Sequence, residues 1–173
     1  MSLEKVKEYF KAYGIEDRIT ELSESSATVE LAAHALHTEP CRIAKTLSFM
    51  LGDSPILVVT AGKVKKGARI EKHFPVQRGN VKIDNAKYRH TFGAKAKMLT
   101  ADQATELIGH AVGGVCPFAV NDGIAVYLDE SLKKYETVFP ACGSSNSAIE
   151  LTIPELEKCS GYEKWVDVTK ASC

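Results

Sequence analysis

A single lysine, Lys45, interrupts the apolar run IAKTLSFML at residues 43–51. An ammonium among Ile43, Leu47 and Phe49 must find an anion, lie at the rim of a cleft, or carry its charge outward on its stem. Further along, Gly113-Gly114-Val115-Cys116-Pro117-Phe118 joins two glycines, which let backbone amides approach a ligand, to a proline that stiffens the exit. Such a loop can hold a carbonyl or a developing oxyanion with main-chain N–H groups, and it can equally be a tight turn between a helix and a strand. Of the histidines His34, His37, His73, His90 and His110, none stands in HExxH or beside an obvious carboxylate partner, which argues against a metal hydrolase. His34 and His37, three apart on one helical face, supply at most half a metal site. Cys116 is a candidate nucleophile next to backbone donors, although no local signature ties a histidine to it.

These groups need elements to position them. Ser2 caps a first helix with Leu3, Val6, Tyr9, Phe10 and Tyr13 at helical spacing, ended by Gly14. The spacing predicts a short strand over Ile15 to Leu22, then a second helix from Val29 to Leu36 capped by Ser25, Ser26 or Thr28. IAKTLSFML and ILVVTAG, separated by Gly52-Asp53-Ser54-Pro55, read as an antiparallel hairpin. Alternation puts Ile43, Lys45, Leu47 and Phe49 on one face and Ala44, Thr46, Ser48 and Met50 on the other. Short helices are predicted around Ala68 to Phe74 and Ile83 to His90, and a strand at Ala96 to Leu99. Thr100 with Gln103 forms a capping box for a helix over Ala101 to Ile108. Strands follow at Ile124 to Leu128, Thr137 to Phe139 and Ala148 to Ile153, with Thr152 and Glu155 capping a helix that begins at Pro154. Strands and helices without a βαβ rhythm argue for an α+β fold built on a curved mixed sheet, with residues 1–173 forming one domain.

The chain has 22 basic and 22 acidic side chains, yet the stretch from Lys63 to Lys97 holds eleven basic against two acidic groups, a local excess of +9. Such polarity fits an anionic partner, nucleic acid above all, as well as a solvated lysine-rich face. Within it, Lys63, Lys65, Lys66 and Arg69 are the candidates for meeting such a partner, which the family resemblance given below makes RNA. No apolar run reaches the roughly 20 residues that span a bilayer, and the charged start MSLEKVKEYF lacks the apolar core of a secretory signal, so the expectation is a cytoplasmic protein with no membrane contact. Five widely spaced cysteines without CxxC fit neither a disulfide framework nor a zinc site and are expected as reduced thiols. No metal and no cofactor are expected.

The succession SATVELAAHAL, CRIAKTLSF, LVVTAG, KAKMLTADQATELIG, HAVGGVCPF, VYLDESL and SAIELTIPEL, from about Ser25 to Leu156, resembles the YbaK/EbsC family of aminoacyl-tRNA deacylases. That family also occurs as the insertion domain of some bacterial prolyl-tRNA synthetases. The resemblance implies a curved, barrel-like mixed sheet surrounded by helices. Its activity would be hydrolysis of a small amino acid mischarged on tRNA, with the tRNA for proline as the first candidate. In it, Lys45 matches the family's central lysine, held to position the aminoacyl-adenosine end. Gly113 and Pro117 match the ends of the GxxxP loop, so Gly113 and Gly114 join Lys45 as catalytic candidates and Val115, Cys116 and Pro117 as substrate contacts. Thr28 and Val29 match a wall of the amino-acid pocket. The implied partner is aminoacylated tRNA rather than DNA, with a synthetase as a candidate second partner. Glu24 and Ala148 stand where many relatives carry a histidine and some an aspartate or histidine, and CPFAV replaces SPFG. These departures surround the pocket and bear on which amino acid is removed. The alternative function is a tRNA- or small-ligand-binding module on the same fold without turnover.

Overall fold

The computed structural model describes residues 2–23, 29–62 and 83–170. The elements are α1 (Ser2–Lys11), β1 (Ile19–Glu21), α2 (Val29–Ala35), β2 (Ile43–Leu51), β3 (Ser54–Ala61), α3 (Asn85–Phe92), α4 (Ala101–Gln103), β4 (Ala125–Asp129), β5 (Thr137–Pro140), β6 (Ser147–Ile149), β7 (Leu151–Thr152), α5 (Ile153–Ser160) and β8 (Lys164–Val166). Six strands form a curled mixed sheet, a half-barrel in the order β7-β5-β2-β3-β4-β8, and β1 pairs with β6 in a separate two-stranded sheet. The fold is α+β, with helices around the sheet. The predicted caps Ser25, Ser26 and Thr28 and the predicted helix over Ala68 to Phe74 lie outside the described residues.

The β2–β3 hairpin is the frame, paired antiparallel from Ala44↔Ala61 to Leu51↔Ser54. Because side chains alternate, it divides its residues between two packing layers. Ala44, Leu57, Val59 and Ala61 turn to the main core with Leu3, Val6 and Phe10 of α1, Leu128 of β4, Val138 of β5, Leu151 of β7 and Leu156 of α5. Leu47, Phe49, Ile56 and Val58 turn to the opposite face, where Tyr88 and Phe92 of α3 cover them. Tyr88 and Phe92, four apart and so on one side of α3, form an aromatic chain with Phe49 and Tyr127 at centroid separations of 4.7–5.1 Å. Ile43, on that same face, belongs instead to a small cluster with Ala32 and Ala33 of α2.

Local chemistry explains most element ends. Asp84 accepts from the amides of Ala86 and Lys87 and starts α3, and Gly93 ends it with a left-handed φ of 71°. Both expected capping boxes, Thr100 with Gln103 and Thr152 with Glu155, are present. The predicted strand at Ile15 to Leu22 is a 3₁₀ turn at Glu16–Arg18 followed by the shorter β1. The expected strand at Ala96 to Leu99 is reduced to one bridge, Met98 to Phe49. The single strand foreseen over Ala148 to Ile153 is two, β6 and β7, in different sheets, because exposed Glu150 turns the chain between them. Cys41 is disulfide-bonded, a correction to the all-reduced expectation, whereas Cys116, Cys142 and Cys159 are free and buried. A lone cysteine far from any other in sequence carries no spacing signal for pairing.

The hydrogen bond from Arg18 leads the causes that pull the Glu155 carboxyl down to about 2, with the Thr152 amide next. A depressed carboxylate stabilises the fold above its unfolded value, near 4.3, and that contribution is lost as pH falls towards 2. The melting temperature of the wild type should therefore fall more steeply between pH 4.5 and 2 than that of Glu155→Gln, as followed by circular dichroism; parallel curves would contradict this linkage.

Candidate active site

Lys45 is half-buried and faces Thr60 across the hairpin. On its own face of β2, Ile43 is covered by α2 while Leu47 and Phe49 are covered by α3, and Lys45 lies between them along the strand. It stands where the cover of the sheet changes from one helix to the other. A long aliphatic stem can lie along such walls while the ammonium reaches polar surroundings. Thr60 is fully buried, and its Oγ1 donates to the Lys45 carbonyl at 3.4 Å, a side-chain link between β3 and the lysine's own backbone.

The glycine loop begins where α4 runs into a π-helical turn, Ala104–Ile108, that ends at Gly109 with a φ of 97°. Asn121 closes the neck of the loop: its side-chain amide donates to the carbonyls of Glu106 and Leu107, both at 3.1 Å, and its backbone N–H to Ile108 at 3.0 Å. Inside the loop the Gly114 N–H donates to Ala111 O at 3.0 Å, making a turn whose third residue, Gly113, has a φ of 95°. A type II turn requires that sign there and so requires glycine. Gly114 is needed for a different reason. A Cβ on it would lie 2.5 Å from both the carbonyl carbon of Gly143 and the amide nitrogen of Ser144, a backbone-to-backbone approach only glycine permits. Gly143 in turn backs onto Ser2 at the start of α1. Gly143 did not stand out in the sequence.

The strand register relates the lysine to the loop. Parallel pairing of β2 with β5 aligns Ile43 with Phe139 and Ala44 with Pro140, so the next step puts Lys45 level with Ala141. Ala141 bridges to Ala148 of β6, and two residues further along is Gly143, the backing of Gly114. Lys45, Ala148 and the glycine loop thus converge at one end of the sheet. Ala148, the position marked as a departure, is 4% exposed and pairs with Thr20.

The loop is divided by depth. Ala111 and Val112 are exposed, Gly113 and Val115 half-buried, and Gly114, Cys116, Pro117 and Phe118 buried. Phe118 is anchored against Phe10 of α1 at 4.7 Å between centroids. The Gly114 amide is committed to the turn, whereas among the described residues the amides of Gly113, Val115 and Cys116 have no protein acceptor. The Cys116 side chain lies in the main core, so the expectation that it touches substrate is restricted to its backbone, and Pro117 is buried beside it. Cys116 does have a histidine, His110, with Nε2 3.5 Å from Sγ, a partner that six residues of irregular chain concealed. The pair is unsuited to nucleophilic attack. Sγ is fully buried, and burial pushes the thiol up to about 12, outweighing the help of backbone hydrogen bonds from the loop and Gly143. Burial also pulls the His110 imidazole below its ordinary value, leaving it neutral at pH 7.

Thr28, Lys63, Lys65, Lys66, Arg69 and Glu24 lie outside the described residues, and Val29 is the first residue of α2. Among the described residues no three His, Cys, Asp or Glu side chains gather as a metal site. No helix among them is long and apolar enough to cross a membrane.

Residues 23–159 match the aminoacyl-tRNA editing domain, and the chain belongs to that family. It is 47% identical over 171 residues to the uncharacterized protein YwhH of Bacillus subtilis (strain 168), spanning 98% of each chain. Among solved structures it is similar to a proposed trans-editing enzyme for prolyl-tRNA synthetase, at 26% identity and a TM-score of 0.79 over 98% of each chain. It is also similar to the hypothetical protein APE2540, at 25% identity and a TM-score of 0.76 over 96% of this chain and 99% of the other.

Proposed function

We propose that the chain hydrolyses the ester joining a small, wrongly attached amino acid to the terminal ribose of tRNA, with the tRNA for proline as the first candidate. The observation that carries this reading is the glycine loop, whose uncommitted amides at Gly113, Val115 and Cys116 are held at the same end of the sheet as Lys45. Membership of the editing family and the likeness to a proposed trans-editing enzyme supply the substrate class.

In this mechanism the loop amides receive the ester carbonyl oxygen and stabilise the charge it gains as water adds to the carbonyl carbon. The carbon–oxygen bond to the ribose then breaks, the ribose oxygen takes a proton, and free amino acid and tRNA leave. Lys45 holds the anionic or ribose end of the substrate, so rate comes from positioning and carbonyl polarisation. Gly114 acts through the turn and through its contact with Gly143. Thr28 and Val29 are proposed to wall the amino-acid pocket, and Lys63, Lys65, Lys66 and Arg69, on charge alone, to guide the RNA. A second site has a physical motive, since a hydrophobic synthetic pocket gains only about 1–3 kcal/mol of discrimination per methylene.

The test is to incubate purified protein with tRNA for proline charged in turn with alanine, serine, cysteine, threonine and proline, and to follow amino-acid release. Release from one or two of the wrong pairs and none with proline is expected. Intact esters together with salt-dependent retention of the tRNA would instead support a binding module. Cys116→Ala should keep deacylation within about threefold of wild type, because a buried, protonated thiol is no nucleophile; loss of turnover in a folded Cys116→Ala protein would revive a thiol mechanism.

A further inference from the structure

We propose that His110 is a positioning residue for the glycine loop, an imidazole clamp between residues 110 and 118 that sets where the amides of Gly113, Val115 and Cys116 point. The inference rests on the reading of this loop as the carbonyl-binding element.

His110 is fully buried, and its Nε2 lies 2.7 Å from the carbonyl oxygen of Phe118. A carbonyl can only accept, so Nε2 carries the proton and donates. Nδ1 is then a lone pair, and it is buried without a partner. A second proton there would have no acceptor, which fixes the ring as the neutral Nε2–H tautomer. The titratable groups facing it are the Cys116 thiol, 3.5 Å from Nε2, and Lys5 of α1, whose charge also disfavours an imidazolium.

Packing alone does not account for a histidine in this place. His110 lies in the same region as Ile108 and Phe118, and an apolar side chain there would avoid an orphaned nitrogen. The Phe118 carbonyl, in contrast, needs holding. The next residue, Ala119, has a φ of 52°, a left-handed conformation that is costly for a residue with a Cβ and persists only where its surroundings enforce it. The Cys116 thiol donates to the same carbonyl at 3.6 Å. Asn121 closes the neck of the loop from outside, whereas the His110 bond closes it from inside, next to the segment whose amides are uncommitted.

The experiment compares wild type with His110→Leu, His110→Gln and His110→Asn. Glutamine places an N–H donor near the level of Nε2, and asparagine falls short of it. Three quantities are measured on the full chain: hydrogen exchange of the hydrogen-bonded loop amides of Gly114 and Asn121, kcat and KM for release from a mischarged tRNA, and the ¹⁵N shifts of His110. In His110→Leu the loop amides should exchange about 10- to 100-fold faster, with kcat lower by a similar factor and KM within about threefold. His110→Gln should recover both to within about threefold, His110→Asn should not, and wild-type Nδ1 should resonate as an unprotonated nitrogen at pH 7. If His110→Leu does not fold, the Gln and Asn pair decides. Loop exchange unchanged in His110→Leu, equal behaviour of Gln and Asn, or a protonated Nδ1 would overturn the clamp. Should wild type release no amino acid at all, the deacylase reading fails, while exchange and shifts still decide the role of His110 in the loop.

Discussion

Replacing Lys45 by alanine should lower kcat/KM for release of a mischarged amino acid by about 100-fold or more, the order of effect expected when the group that positions the reacting end of the substrate is lost. The fold should survive, since Ile43, Leu47 and Phe49 keep their own helices. Lys45→Arg should recover little, because a planar guanidinium differs from a compact ammonium in shape and donor geometry. The checks are steady-state release and thermal unfolding on the same preparations. An active Lys45→Ala protein would remove the lysine from the mechanism and leave the loop to act alone.

The second large effect is expected from Gly114→Ala. Its methyl carbon would meet the backbone of Gly143 and Ser144 at 2.5 Å, and neither neighbour is a flexible side chain that could swing aside. Gly143 cannot retreat, because Ser2 of α1 stands behind it. The loop must therefore move outward, at a cost of about 1–3 kcal/mol for overpacking of this kind. For a chain of this size that corresponds to a fall in melting temperature of roughly 3–10 °C. A displacement of about 1 Å in groups that hold a reacting carbonyl costs on the order of 100-fold in rate, so turnover should drop even where the variant is folded. Calorimetry and release assays on Gly114→Ala check both parts. A melting temperature and kcat equal to wild type would mean that the Gly114–Gly143 contact has no role in setting the loop.

The parts of the fold that local chemistry dictates were legible in the sequence. The hairpin follows from two apolar runs around Gly52-Asp53, and its alternation correctly separated Lys45 and Phe49 from Ala44 and Thr46. Thr100 with Gln103 and Thr152 with Glu155 were readable because a capping box lies within four residues. What escaped depends on contacts across long separations. The π-helical turn before Gly109 is held by Asn121, fourteen and fifteen residues beyond the carbonyls it binds. The break at Glu150 reflects two different partners, β1 for one side and β5 for the other, which no local pattern encodes. β8 is three residues long and takes its place from pairing with β4.

The site divides in the same way. Lys45 and the glycine loop stood out by residue type, an isolated cation in an apolar run and paired glycines before a proline. Their convergence came only from the β2–β5 register and the approach of Gly114 to Gly143. Cys116 looked available in sequence, and the structure turns its thiol into the core beside His110.

The most direct test is single-turnover release with protein in excess over a mischarged tRNA for proline, wild type beside Lys45→Ala, with RNA retention recorded on the same samples. Deacylation predicts that wild type frees the amino acid while Lys45→Ala retains the RNA to within a few-fold and frees it at least about 100-fold more slowly. Retention by both proteins with the ester intact in both, across all the small amino acids, would contradict hydrolysis and leave a module that binds the charged end of tRNA without cleaving it.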